Sequence, residues 1–331
     1  MRIIRQNTKA VQPQTQVQVG QKVSYIYTAN EGGSLSRINA STNKLIDTIK
    51  IDGSAHNVQV SPDGKIIGAT IAASMEGKSS HGSMNINDLA AFYDAQTGKL
   101  INQVEVGEHP AHIVFTNDGK YALVTNNGSN SVSVIDITTF KVKGTIPTGK
   151  GPHGFRISKN NKYAYIANMG QDTVSVLDIA NMKETKKIKV GKTPVTTAIS
   201  NDGKTLLVTI NAGDSLAVVD VESGNVQKIP VGDGPAQVYL QGNDKFAFVA
   251  NQGTEEKPSN TVSKIDLSTK KVVATIETGK GSHGVVISSD DKHVYVTNMF
   301  ENTVSVIDND QNKVIATVNV DKTPNGITFV K

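Results

Sequence analysis

The segment SVSVIDI at residues 131–137 decides the fold, because the chain repeats it. It returns as TVSVLDI (173–179), SLAVVDV (215–221), TVSKIDL (261–267) and TVSVIDN (303–309). The acid of each copy falls at Asp94, Asp136, Asp178, Asp220, Asp266 and Asp308, at successive gaps of 42, 42, 42, 46 and 42 residues. An earlier copy, SLSRINA, puts Asn39 in the acid's place, 55 residues before Asp94. Seven copies result, with two spacers long by 13 and by 4. A self-similar period of this length marks a solenoid or a propeller.

Around SVSVIDI the unit contains four segments with apolar residues at alternate positions: HIVFT (strand A), YALVTN (B), SVSVIDI (C) and KVKGTIP (D). Period-two patterning is that of strands. The A-to-B links are turn sequences, SPDG at 61–64 and NDG at 117–119 and 201–203. A four-stranded antiparallel unit repeated radially is a propeller blade, and stacking buries faces that one blade cannot bury alone. The expected fold is therefore all-β, a seven-bladed β-propeller of four-stranded antiparallel blades. The chain begins with a B-like strand, KVSYIYTAN (22–30), and ends with an A-like one, TPNGITFVK (323–331). The C-terminal strand A is expected to join the N-terminal strands B, C and D and close the ring. Residues 13–19, PQTQVQV, compete for the same slot. Residues 1–21 read as a polar tail and 22–331 as the propeller.

The B strands YIYTAN, YALVTN, YAYIAN, FAFVAN and VYVTN, each followed by a copy of SVSVID, resemble the YVTN-type β-propeller repeat family. The resemblance runs from about residue 22 to the end. It implies the fold and an extracytoplasmic setting (secreted, periplasmic or cell surface), since such repeats occur in surface-layer proteins, exported binding proteins and cofactor enzymes. It says little about activity, because propellers host many. One B strand departs from the pattern, IIGATIAAS at 66–74, and marks blade 2 for inspection.

Composition narrows the field. Hydrophobic residues make up 37% and charged residues 19%, as in an ordinary globular chain. The net charge is +4, but Trp is absent and Arg occurs only at Arg2, Arg5, Arg37 and Arg156, so no arginine-aromatic groove for nucleic acid is visible. Without cysteine there is no disulfide, thiolate metal site or thiol nucleophile. No stretch has the apolar length of a membrane span, and residues 1–21 lack the apolar centre of a signal peptide. No nucleophile elbow, phosphate loop or zinc helix is present.

Strand parity organises the histidines. Chain direction alternates within a blade, so the D-to-A and B-to-C connections share one face, the top. His56, His153 and His283 occupy equivalent positions at the start of strand A, in SAHN, GPHG and GSHG. His112 lies one position further along in HPAH, with His109 just before. His81 belongs to the inserted B-to-C connection SMEGKSSHGSMNIND (74–88). Only His293 falls at the opposite face. Strand A is innermost, so these residues are expected to ring the channel mouth. Imidazoles converging without thiolates suit a transition metal, copper or zinc. Met75, Met84, Met169 and Met299, all in B-to-C connections, add a slight preference for copper or a haem-type cofactor. The candidate ligands are therefore His56, His112, His153, His283, His81 and His109. Against this, Ala111, Val195, Ala236 and Asn325 fill the equivalent slot in other blades, and histidine there could simply pack or cap. The loop 252–260, with Glu255 and Glu256, reads as a solvated acidic excursion. The C-strand aspartates read as turn acceptors.

Two functions of different class follow. One is a binding protein presenting a His-rich top face to a protein or small molecule. The other is a metal- or haem-type enzyme (a lyase, lactonase or redox catalyst) using the same ring. DNA binding through lysines is a weaker third.

Overall fold

The computed structural model describes residues 23–73 and 88–331. They form seven four-stranded antiparallel sheets arranged as blades. Blade 1 combines β28 (Pro324–Val330) with β1 (Tyr25–Asn30), β2 (Ser34–Asn39) and β3 (Lys44–Lys50). β28 pairs with β1 from Tyr25↔Val330 to Asn30↔Pro324, so the C-terminal strand takes the innermost slot and the ring is closed. The inner strands of blades 2 to 7 are β4 (Ser54–Val60), β8 (Pro110–Phe115), β12 (Pro152–Ile157), β16 (Pro194–Ile199), β20 (Pro235–Leu240) and β24 (Ser282–Ile287).

Packing lies between blades. Val114, Leu123 and Val132 of blade 3 meet Phe155, Ile166 and Leu177 of blade 4 in one buried cluster. Each of the seven junctions has such a cluster, including the closing one, where Ile26, Ile38 and Ile327 of blade 1 meet Val286 and Tyr295 of blade 7. Within blades, the repeated asparagine at the end of strand B is buried, and its side-chain N–H groups are bonded to hydroxyls of strand C. Asn126 donates through Nδ2 to the hydroxyls of Ser131 and Ser133, both at 3.0 Å. That is why the repeat reads TN and then SVS. The C-strand aspartates are turn acceptors: Asp136 Oδ1 accepts the N–H groups of Thr138 (2.9 Å) and Thr139 (3.0 Å).

The irregular B strand of blade 2, β5 (Ile66–Ala72), has a structural cause. Its Ile71 stands where blade 3 has Asn126, and the facing strand β6 (Leu89–Asp94) carries Leu89 and Ala91 in place of the two serines. Exchanging all the polar partners together for apolar groups leaves nothing unsatisfied.

Candidate metal centre

A β-bulge in the inner strands aims the site. In blade 3, Pro110 pairs with Asn126 and Ile113 with Val124, so Ala111 and His112 together oppose Thr125. Blades 4 and 7 shift in the same way between Pro152 and Phe155 and between Ser282 and Val285. The first slot of the bulge holds His153 in blade 4 and His283 in blade 7. The second faces the next blade: a Cβ on Gly154 would lie 2.6 Å from Thr196 Oγ1 of blade 5. In blade 3 that second slot holds His112, which is therefore fully buried toward blade 4.

One hydroxyl fixes two of the histidines. Thr125 Oγ1 accepts the N–H of His112 (2.9 Å) and donates to the carbonyl of His153 (2.8 Å). The rings converge accordingly. His112 and His153 have centroids 4.9 Å apart, His56 and His153 5.2 Å, and His56 and His112 5.9 Å. One ring nitrogen from each of His56, His112 and His153 lies within 4.8 Å of the other two.

Hydrogen bonding sets the tautomers. His153 Nδ1–H donates to the carbonyl of Val195 at 3.2 Å. His56 Nδ1–H donates to Glu31 Oε1 at 2.9 Å. Asn325, which fills the histidine slot of blade 1, donates to the same carboxylate oxygen at 2.7 Å. Both Nε2 atoms are thus left as acceptors, and they face each other at 3.1 Å. Among the described residues, both nitrogens of His112 lack a hydrogen-bond partner. Burial drives the basicity of His112 well below the usual imidazole value, helped by the charges of His153 and His56. Burial likewise pushes His153 down to about 3. These rings are held neutral, the form that binds a metal. At Glu31 burial acts to raise the pKa, but the hydrogen bond and charge of His56 and the bond from Asn325 outweigh it, and the carboxyl sits below its ordinary value.

The other candidates divide. His283 is buried, has an Nδ1 with no hydrogen-bond partner among the described residues, and is pushed down to about 4 by burial and by His56. It lies beside the trio, outside its 4.8 Å limit. His109 is not gathered. It has a left-handed backbone (φ 48°), its ring is exposed, and its N–H is held by Asp88 Oδ2 at 3.1 Å. His81, with Met75 and Met84, lies outside the described residues. Met299 Sδ is taken by Gln252 Nε2 at 3.3 Å, and Met169 is largely exposed. Glu31 was not among the residues singled out from sequence. Its signal was positional: it follows strand B in the slot that holds Met169 and Met299 in other blades.

Comparison with known proteins agrees with the architecture. A family model described as a YNCE-like beta-propeller matches residues 74–245 and again 241–331. A search of curated protein sequences finds no match. Among solved structures, the chain is similar to hydrazine synthase of Kuenenia stuttgartiensis, with 22% identity over 82% of this chain and 88% of that one and a TM-score of 0.71. It is similar to a protein of unknown function from Desulfotomaculum acetoxidans, with 15% identity, 92% and 98% coverage and a TM-score of 0.77. It also resembles the periplasmic gluconolactonase PpgL of Pseudomonas aeruginosa, with 17% identity, 94% and 99% coverage and a TM-score of 0.73. These likenesses concern the fold. Among the described residues, no helix is long and apolar enough to cross a membrane.

Proposed function

The chain belongs to the YNCE-like beta-propeller family, and on that premise we propose that it is an exported binding protein that holds one transition-metal ion at the top of its channel. The ligands are the Nε2 atoms of His56 and His153 and a ring nitrogen of His112, with His283 beside them. The carrying observation is His112, buried with both nitrogens unpartnered among the described residues, next to two Nε2 atoms that face each other. A proton shared between His56 and His153 would satisfy that pair and leave His112 orphaned, at a cost of about 1–3 kcal/mol for each buried unsatisfied group. An ion takes one nitrogen from each of the three rings, which leaves a single nitrogen of His112 without a partner in place of two. With metal–nitrogen bonds of about 2.0 Å, two tetrahedral ligands stand roughly 3.3 Å apart, close to the 3.1 Å observed. Glu31 and the Val195 carbonyl supply the outer hydrogen bonds that orient metal-binding imidazoles. Nitrogen ligands without thiolate suit zinc or copper. Rings this close accommodate an ion and not a macrocycle between them. The extracytoplasmic setting is supported by the YVTN-type repeat and by the periplasmic gluconolactonase of like fold.

A second reading, catalysis, is favoured by the ligand count. Three protein nitrogens leave a position for water or substrate, as catalytic zinc sites do. Tag-free protein, stripped with chelator and dialysed against zinc or copper, tests the binding. One ion per chain is expected, lost in His112→Ala and in His153→Ala. Protein that stays metal-free, or variants that load equally, would refute it. Lactone hydrolysis by loaded protein that vanishes in His153→Ala would establish the second reading.

A further inference from the structure

The opposite end of the channel holds the guanidinium of Arg156. Arg156 lies three residues beyond His153 on β12, roughly 10 Å toward the lower mouth. Its Nη1 donates to the carbonyl of Phe155 at 2.9 Å, and its guanidinium stands over the ring of Tyr239 on β20, 5.7 Å from the centroid. Among the described residues no carboxylate is within ion-pair reach of it. Burial works against its charge, drawing its pKa below the usual guanidinium value, and Tyr239 only partly opposes this. Arg156 is only partly buried, which leaves its guanidinium reachable from the chambers beside it.

This pair forms a wall shared by two chambers. The larger, about 410 Å³, is lined by inner-strand ends from six of the seven blades, with Val114, Phe115, Ile287 and Phe329 among its apolar walls. The smaller, about 270 Å³, adds Lys159 and Asp244. Asp244 is committed elsewhere, its Oδ2 accepting the N–H of Asn201 at 2.7 Å. The larger chamber lies within the size range of small-molecule sites, where a few polar groups orient the ligand against apolar walls.

We propose that the lower mouth is a second binding site, independent of the histidine centre, for a small organic carboxylate whose anionic end sits on Arg156 and whose apolar body fills the larger chamber. A guanidinium presents a planar fork matched to a carboxylate. The apolar walls of the larger chamber, Val114, Phe115, Ile287 and Phe329, give the body of an organic carboxylate a surface that inorganic phosphate cannot use. Calorimetric titration of the full chain with benzoate, hexanoate and inorganic phosphate tests the proposal. Saturable binding of at least one of the two carboxylates is expected, tighter than phosphate. Arg156→Gln should weaken it at least ~10-fold. Ser289→Trp, an exposed lining position, should block the chamber while leaving the guanidinium in place, and decides the matter if the arginine variant does not fold. Metal loading of the upper site should be unchanged in Ser289→Trp. No saturable binding of either carboxylate up to about 10 mM, phosphate bound more tightly than both, or equal affinity in the folded variants would overturn it.

Discussion

At the scale of the residue, the centre is governed by which nitrogen carries the proton. Glu31 keeps His56 protonated on Nδ1, and the Val195 carbonyl does the same for His153. Replacing Glu31 with Gln removes the charge of that support, and outer-shell losses of this kind cost about 10–100-fold in metal affinity; competition against a chelator of known strength measures it. Affinity unchanged from the native chain would show that the carboxylate does not serve the site. The buried imidazoles also tie stability to pH in metal-free protein. His153 and His283 titrate near about 3 and about 4 when folded, against roughly 6.5 unfolded. Their folded values are depressed, so the unfolded chain binds more protons below pH ~6.5 and stability falls with pH until about 3–4. The melting temperature of chelator-treated protein should drop between pH 6.5 and 4, and His153→Ala should flatten that slope. Strand parity made His56, His112, His153 and His283 legible as neighbours of one opening. Glu31 escaped notice because NEGG looks like any tight turn, and its role depends on Asn325, 294 residues away. His109 was expected with the others, but its left-handed φ turns it outward at the rim.

At the scale of the element, the inner strand does two jobs through one bulge. It places one residue at the histidine centre and sets the next against the neighbouring blade, which explains why glycine follows the histidine in GPHG and GSHG. Gly154→Ala should therefore destabilise by about 1–3 kcal/mol, the range for overpacking, read from a denaturant midpoint at constant m. Thr125→Val keeps the volume but orphans the N–H of His112 and the carbonyl of His153. A loss of about 1–3 kcal/mol together with weaker metal loading is expected; lost stability with native loading would make Thr125 purely structural. The four strands of each blade and their turns were readable from alternation and from NDG-type links. The bulge was not, because it shifts pairing by one residue without disturbing the apolar alternation around it. The odd B strand of blade 2, which marked that blade for inspection, carries the apolar exchange at Ile71, Leu89 and Ala91, and the same blade supplies His56.

At the scale of the whole molecule, closure by β28 makes every blade dependent on its two neighbours. The period and the split blade at the termini were enough to foresee the ring, since the chain starts at strand B and ends at strand A. A chain ending at Thr323 would lose β28 and expose the edge of β1 and the closing apolar cluster. It should lose the single cooperative unfolding transition, as followed by circular dichroism. The ring also brings four distant histidines to one mouth, and the account stands or falls on what they hold. The most direct test is a crystal grown with zinc and measured across the zinc absorption edge. The account expects one strong anomalous peak at about 2.0–2.1 Å from Nε2 of His56 and of His153, with a nitrogen of His112 completing the set. No peak at the channel mouth, or a peak bound only by surface side chains elsewhere, would contradict it.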